Sequence, residues 1–431
     1  MTPRRGHINV ALMLASSITL VPASLFAQVR PDPIATAPDE IKEPPREQAS
    51  AGIKRWIERR VRSLEDSTGD RERGVSVTAG SVISGSGFAG GLGYKHLNAF
   101  PRGIGFQVDG RVSFRRYHEY AAAIGFLNAR SSTVELDTAD RRPGSLFNDT
   151  TLKRPGSALY VEARYRHYPQ HVYYGSGIAS RVDNRADYSL SGVSVEGVWQ
   201  RQFNPTIGMS VRGGLLDLHV GSGTNSTLVN FENRFEAAAI SGGVSQPRFF
   251  TLGTALVRDT RQQPAAPQDG TFAGIAVRRF MAGGAPDLDF TRLALDVRGY
   301  LKPFHPRGVL ALRGLMSSDF TDNARPTPFY LQQYLGGSDT IRGLRSYRFQ
   351  DQALFVISAE YRWRAHRYLD IVPFIDAGTA APAMSRLSLN SVRVAPGIAI
   401  RARTDRRTIA RVELARGPEG YRILVGTGPS F

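Results

Sequence analysis

The chain has 431 residues, no cysteine and a formal net charge of +17. The missing cysteine removes thiolate zinc sites, thiol nucleophiles and disulfides from consideration. Only 41 % of residues are hydrophobic and no internal run approaches the ~20 apolar residues of a helical span, so a transmembrane helix bundle is excluded, whereas a β-barrel, apolar only at alternate positions, is not.

The first predicted element is a signal peptide over 1–27. Arg4 and Arg5 form its basic region, Ile8 to Val21 its mostly apolar stretch, and Ala23-Ser24-Leu25-Phe26-Ala27 a cleavage site after Pro22. A retained anchor is the alternative. Residues 28–73 read as a periplasmic linker, Pro- and acid-rich over 28–46. Within it, Ile53, Trp56, Ile57, Val61 and Leu64 fall at helical spacing. Residues 47–67 are therefore either an amphipathic helix, periplasmic or interfacial, or a partly ordered linker.

From residue 74 to 431 the period changes to two. Over 352–364, Phe355, Ile357, Ala359, Tyr361 and Trp363 point one way, and Ser358, Glu360, Arg362 and Arg364 the other. The pattern recurs over 158–168, 290–300 and 393–403, with arginines on the second face of each and a carboxylate beside them in the first two. Sixteen such segments begin near residues 75, 87, 104, 118, 158, 189, 206, 247, 270, 289, 307, 352, 370, 392, 407 and 421. The predicted fold is all-β: a membrane-spanning antiparallel barrel of about 16 strands in the bacterial outer membrane. The positive charge then belongs to a polar lumen and to loops facing anionic outer-membrane lipid and lipopolysaccharide, and no nucleic-acid partner is expected. With strand one running outward, the long connections 169–188, 220–246 and 319–351 are external. About thirty residues from 128 to 157 fall on the periplasmic side, where turns should be short; either they are an insertion or the strand count fails there. The last segment is expected to place Tyr421, Ile423, Val425 and Phe431 outward.

The richest stretch is Gly336-Gly337-Ser338-Asp339-Thr340-Ile341-Arg342-Gly343-Leu344-Arg345-Ser346-Tyr347, in the last long external loop. On period alone Glu360, Arg362, Phe374, Asp376 and Gly378 share the lumen side. A loop arginine folded into that space needs bidentate carboxylate partners; the plainer reading is three unrelated surface charges. Ile341-Arg342-Gly343-Leu344, with Phe374-Ile375-Asp376-Ala377-Gly378, resembles the V/I-R-G-F/Y and F-x-D-x-G motifs of the bacterial surface antigen family, the BamA/TamA-like outer-membrane assembly and translocation barrels. Leu344 replaces the usual aromatic. Arg258-Asp259-Thr260-Arg261 with Pro264 and Asp269-Gly270-Thr271, and Tyr173-Tyr174-Gly175-Ser176-Gly177, look like further family stretches. Phe431 is similar to the terminal aromatic that outer-membrane assembly machinery reads, with Tyr421 at the other end of the signal.

The resemblance implies a weak seam between strands one and sixteen that templates an incoming strand. It also implies a lumen-loop lock made by Arg342, Gly343, Glu360, Asp376 and Gly378. The implied partners are unfolded outer-membrane protein clients or a periplasmic partner. The 46 residues from 28 to 73 are too few for the periplasmic POTRA domains usual in the family. No catalytic residue, metal or cofactor is expected. Gly85-Ser86-Gly87-Phe88-Ala89-Gly90 has dinucleotide-fingerprint spacing but no helix after it. His167 and His171 are separated by Pro169, which argues against a shared metal. The alternative functions are a passive pore or structural barrel and, less favoured, a lipid hydrolase.

Overall fold

A computed structural model describes residues 73–127, 156–322, 325–404 and 407–431. The signal peptide and the 47–67 helix lie outside the described residues. The wall consists of β1 (Arg73–Gly80), β2 (Ala89–Phe100), β3 (Ile104–Ser113), β4 (His118–Phe126), β5 (Gly156–Tyr173), β6 (Ala186–Gln202), β7 (Ile207–Ser222) and β8 (Phe249–Asp259). It continues with β9 (Gly270–Ala282), β10 (Phe290–Leu301), β11 (Gly308–Thr321), β12 (Ala353–His366), β13 (Leu369–Ala381), β14 (Arg393–Arg403), β15 (Thr408–Gly417) and β16 (Gly420–Gly426). Each strand pairs antiparallel with the next in sequence. The sixteen-strand antiparallel barrel expected from the alternation is the fold.

Burial follows the period of two. In β12, Glu360 and Arg362 are buried in the lumen while Ile357 and Trp363 face outward. Hydrocarbon solvates the outer face, and the lumen face satisfies its charges internally. Arg292 meets Asp319 at 2.6 Å, and Asp296 meets both Arg298 at 2.7 Å and Arg313 at 2.8 Å. Much of the excess arginine is therefore lumen lining.

Connections after even-numbered strands are short, except 127–155. β4 and β5 are nonetheless direct neighbours, His118 opposite His167 and Phe126 opposite Leu159. The strand count holds, so the extra residues are an insertion. On the opposite side the long loops fold over and into the barrel. Phe231 and Phe235 of the β7–β8 loop and Phe329, Tyr334 and Tyr347 of the β11–β12 loop pack on Tyr173, Tyr188, Phe249, Phe280 and Phe290 of the wall. Phe231 stacks on Phe329 with centroids 4.4 Å apart. This dry aromatic cluster fills the outer end of the lumen.

Two features set the last strand apart. First, the outward placement expected for Phe431 is wrong. β16 ends at Gly426, Gly428 turns with φ 70°, and the following residues enter the lumen. Phe431 is buried against Tyr300, Val309 and Ala311, whereas Tyr421, Ile423 and Val425 do point outward. Second, no ladder among the described residues joins β16 to β1. The outward residues of these two strands are correspondingly bare: Val77 is 69 % and Ile423 72 % exposed, against 48 % for Ile357 in the paired wall.

Candidate functional site

The β11–β12 loop reaches the lumen through a short hairpin, Gln333–Leu335 paired with Phe349–Asp351. Gly336 (φ 111°) and Gly337 (φ 98°) make the turn beneath it. A side chain on Gly336 would meet the Arg345 carbonyl at 2.0 Å, so only glycine fits there. Thr340 Oγ1 accepts from the Gly336 N–H at 2.7 Å. Ile341 and Leu344 then anchor the loop in an apolar cluster with Leu315, Leu335, Val356, Ala380 and Ala395. Leu344, in the position of the family's aromatic, is fully buried.

Between these two anchors Arg342 is 1 % exposed. Its Nε and Nη2 donate to Asp376 Oδ2 and Oδ1, both at 2.8 Å, and its backbone N–H donates to Oδ2 at 3.1 Å. Nη1 donates to Glu360 at 2.7 Å and to Glu413 at 3.0 Å. The guanidinium lies 3.5 Å from the Phe374 ring centroid. Burial works against the arginine's charge, but Asp376, Glu360 and Glu413 outweigh it and hold its pKa above the ordinary arginine range. Glycine at 343 and 378 has a steric reason. A Cβ on Gly343 would stand 2.5 Å from Ala395 Cβ, and one on Gly378 would stand 2.6 Å from the Phe355 carbonyl and 3.1 Å from Ile341 Cδ1. Arg342, Gly343, Glu360, Asp376 and Gly378 thus converge at one place.

Three participants were not anticipated. Glu413 is the third carboxylate; it alternates with Arg411 on the lumen face of β15, which is the signal that could have marked it. Arg401 donates to Glu360 at 2.7 Å. The tail after β16 joins the same hub. Ser430 Oγ donates to Glu360 and accepts from Arg401 at 2.9 Å, and Arg411 donates to the carbonyls of Gly428 and Pro429. Arg362 bridges Glu360, at 2.9 Å, and the Phe431 ring, at 5.3 Å. Tyr421 stands apart, on the outer face of β16 beside Arg416.

The other stretches find structural roles. Tyr173 OH bonds Ser176 at 2.8 Å, Ser176 donates to Gln332 at 3.0 Å, and Gly177 N–H donates to the Gln350 carbonyl at 2.7 Å. The stretch 173–177 therefore grips the loop hairpin from the wall. Ser86 Oγ accepts from the N–H groups of Val82 and Ile83, so the first part of the glycine stretch belongs to a turn over 82–86. His171 is buried on Tyr347, centroids 4.3 Å apart; His167 pairs across strands with His118 instead.

Residues 128–406 match the family described as the Omp85 superfamily domain. Among solved structures, BamA from Haemophilus ducreyi lacking POTRA domains 1–3 is similar at 15 % identity and a TM-score of 0.58, over 83 % of this chain and 70 % of that one. CdiB from Escherichia coli is similar at 11 % identity and a TM-score of 0.51, over 84 % of this chain and 63 % of that one. At these identities the likeness is one of fold. No curated protein matches the sequence.

Proposed function

The chain belongs to the Omp85 superfamily, and from that premise we propose that this outer-membrane barrel assists the insertion or passage of proteins at that membrane. The observation that carries this reading is the unpaired seam. Among the described residues, fifteen neighbouring strand pairs are zipped, and β16 and β1 are not. An open edge in hydrocarbon leaves backbone groups unsatisfied at several kcal/mol each. Such an edge persists usefully when a further strand can add to it by β-augmentation. In this reading the Arg342 hub makes and breaks no bonds. It pins the loop to β12, β13 and β15, and so stiffens the wall leading to the seam. The aromatic filling of the outer lumen counts against a passive pore.

Gly80, at the end of β1, faces the tail: a Cβ there would lie 3.0 Å from Thr427 Oγ1. Since the chain has no cysteine, Gly80→Cys with Thr427→Cys gives one clean disulfide across the seam. Oxidation should abolish acceleration of outer-membrane protein folding in proteoliposomes, and reduction should restore it. Equal activity in both states would discard the proposal.

A further inference from the structure

Near the periplasmic end of the lumen, bordering the Arg342 hub through Arg362 and Arg401, lies a small cavity of about 30 Å³ whose lining includes Arg307, Arg362, Arg364, Arg401, Arg403 and Asp370. The hairpin between β8 and β9 closes over it with Ala266, Pro267 and Gln268. The motif at 258–261 shapes that cover. Arg261 grips Asp259 through Nε at 2.9 Å and Nη2 at 2.8 Å, and lies over the Phe272 ring at 4.8 Å.

The lining holds more positive charge than its neighbours cancel. Glu360 is shared by Arg342, Arg362 and Arg401, and Glu413 by Arg342, Arg401 and Arg411. Asp370 meets Arg403 at 3.6 Å. Among the described residues Arg307 and Arg364 make no ion pair. Even if Glu360, Glu413 and Asp370 are all credited to the five lining arginines, two positive charges remain among the described residues. Arg401 is 1 % exposed, and its Nε has no hydrogen-bond partner; the Asp370 Oδ1 has none either. An orphaned buried donor of this kind is costly until a partner satisfies it.

We infer that this cavity binds a phosphate group. Guanidinium forks match tetrahedral oxyanions in a bidentate manner. A dianion cancels the two residual charges, where a single carboxylate leaves one. The Arg401 Nε–H supplies a buried donor, and Asp370 Oδ1 can accept from the P–O–H of a monoprotonated phosphate. The small enclosed space suits one tetrahedral group better than an acidic peptide. Binding also reaches the loop hub, because Arg401 divides its charge between the cavity and Glu360.

The test is isothermal titration of the full chain in neutral detergent micelles. The probes are inorganic phosphate, micelles doped with phosphatidic acid, and hexaglutamate. Arg307→Gln with Arg364→Gln removes two arginines that make no ion pair among the described residues, and retained heat-modifiable migration on gels checks its fold. The double variant should bind phosphate about tenfold more weakly or worse. Arg181→Gln, on an exposed external connection, should bind like the parent. Phosphatidic acid competing with phosphate would mark a lipid headgroup as the source, and phosphate binding alone would mark the free ion; either supports the site. The inference falls if phosphate does not bind, if the double variant binds equally well, or if hexaglutamate binds and phosphate does not displace it.

Discussion

Arg342 and Asp376 meet in a two-pronged ion pair, Nε and Nη2 each 2.8 Å from a carboxylate oxygen, with the arginine's own backbone N–H as a third contact. Both side chains are buried. In such a pair the net worth of the contact is small, but removing one partner strands the other, at about 3–5 kcal/mol.

Arg342→Ala should therefore leave the barrel inserted while freeing the 336–347 loop. Limited proteolysis of the loop should speed up, and the temperature of heat-modifiable migration should drop. Arg342→Lys should behave much like the alanine variant, since an ammonium cannot span both Asp376 oxygens. Unchanged loop cleavage in both variants would show that the loop is held by its apolar anchors alone.

Gly343→Ala places a methyl 2.5 Å from Ala395 Cβ. Overpacking of this kind costs about 1–3 kcal/mol. The combination with Ala395→Gly should recover most of the lost thermal stability. A double variant no better than Gly343→Ala would point to the Arg416 backbone, 3.0 Å away, as the deciding clash.

Ser430→Ala and Arg342→Gln should not be additive, because both side chains end on Glu360. A double-mutant cycle on unfolding in urea should give a coupling of about 0.5–3 kcal/mol. Additivity within error would separate the tail from the loop energetically.

Asp351, in the loop hairpin, is pushed up to about 6 by burial, with the Gln352 N–H pulling weakly the other way. An unfolded aspartate titrates near ~3.9. Between those values the folded state binds the extra proton, so stability falls as pH rises through about 4 to 6, and above 6 the penalty is full. Loop protection should accordingly be greater at pH 5 than at pH 7.5. Asp351→Asn should flatten that difference; a variant with the same pH dependence would exonerate Asp351.

The period of two made the sixteen strands readable, because each strand sets one face to hydrocarbon and the other to the barrel interior. It also placed Glu360 and Asp376 on the lumen face. Glu413 carried the same signal and was passed over because β15 lay outside the motifs. The aromatic cluster lies partly in loops, which have no period, and its contacts join residues far apart in sequence, Phe231 to Phe329 for example. For Phe431 the alternation was carried one step too far: Gly428 and Pro429 stand between it and β16, and proline cannot extend an interior ladder. The local chemistry there outweighed the pattern.

The tail that turns inward has a mechanical consequence. Ser430 and Arg342 bear on one carboxylate, so the edge strand is tethered to the loop across the lumen. On the proposed function, an incoming strand that draws the free edge sideways must slide Ser430 off Glu360, and the guanidiniums left behind then compete for that carboxylate. The pull is felt inside the barrel as a redistribution of charge, with no hinge needed to carry it.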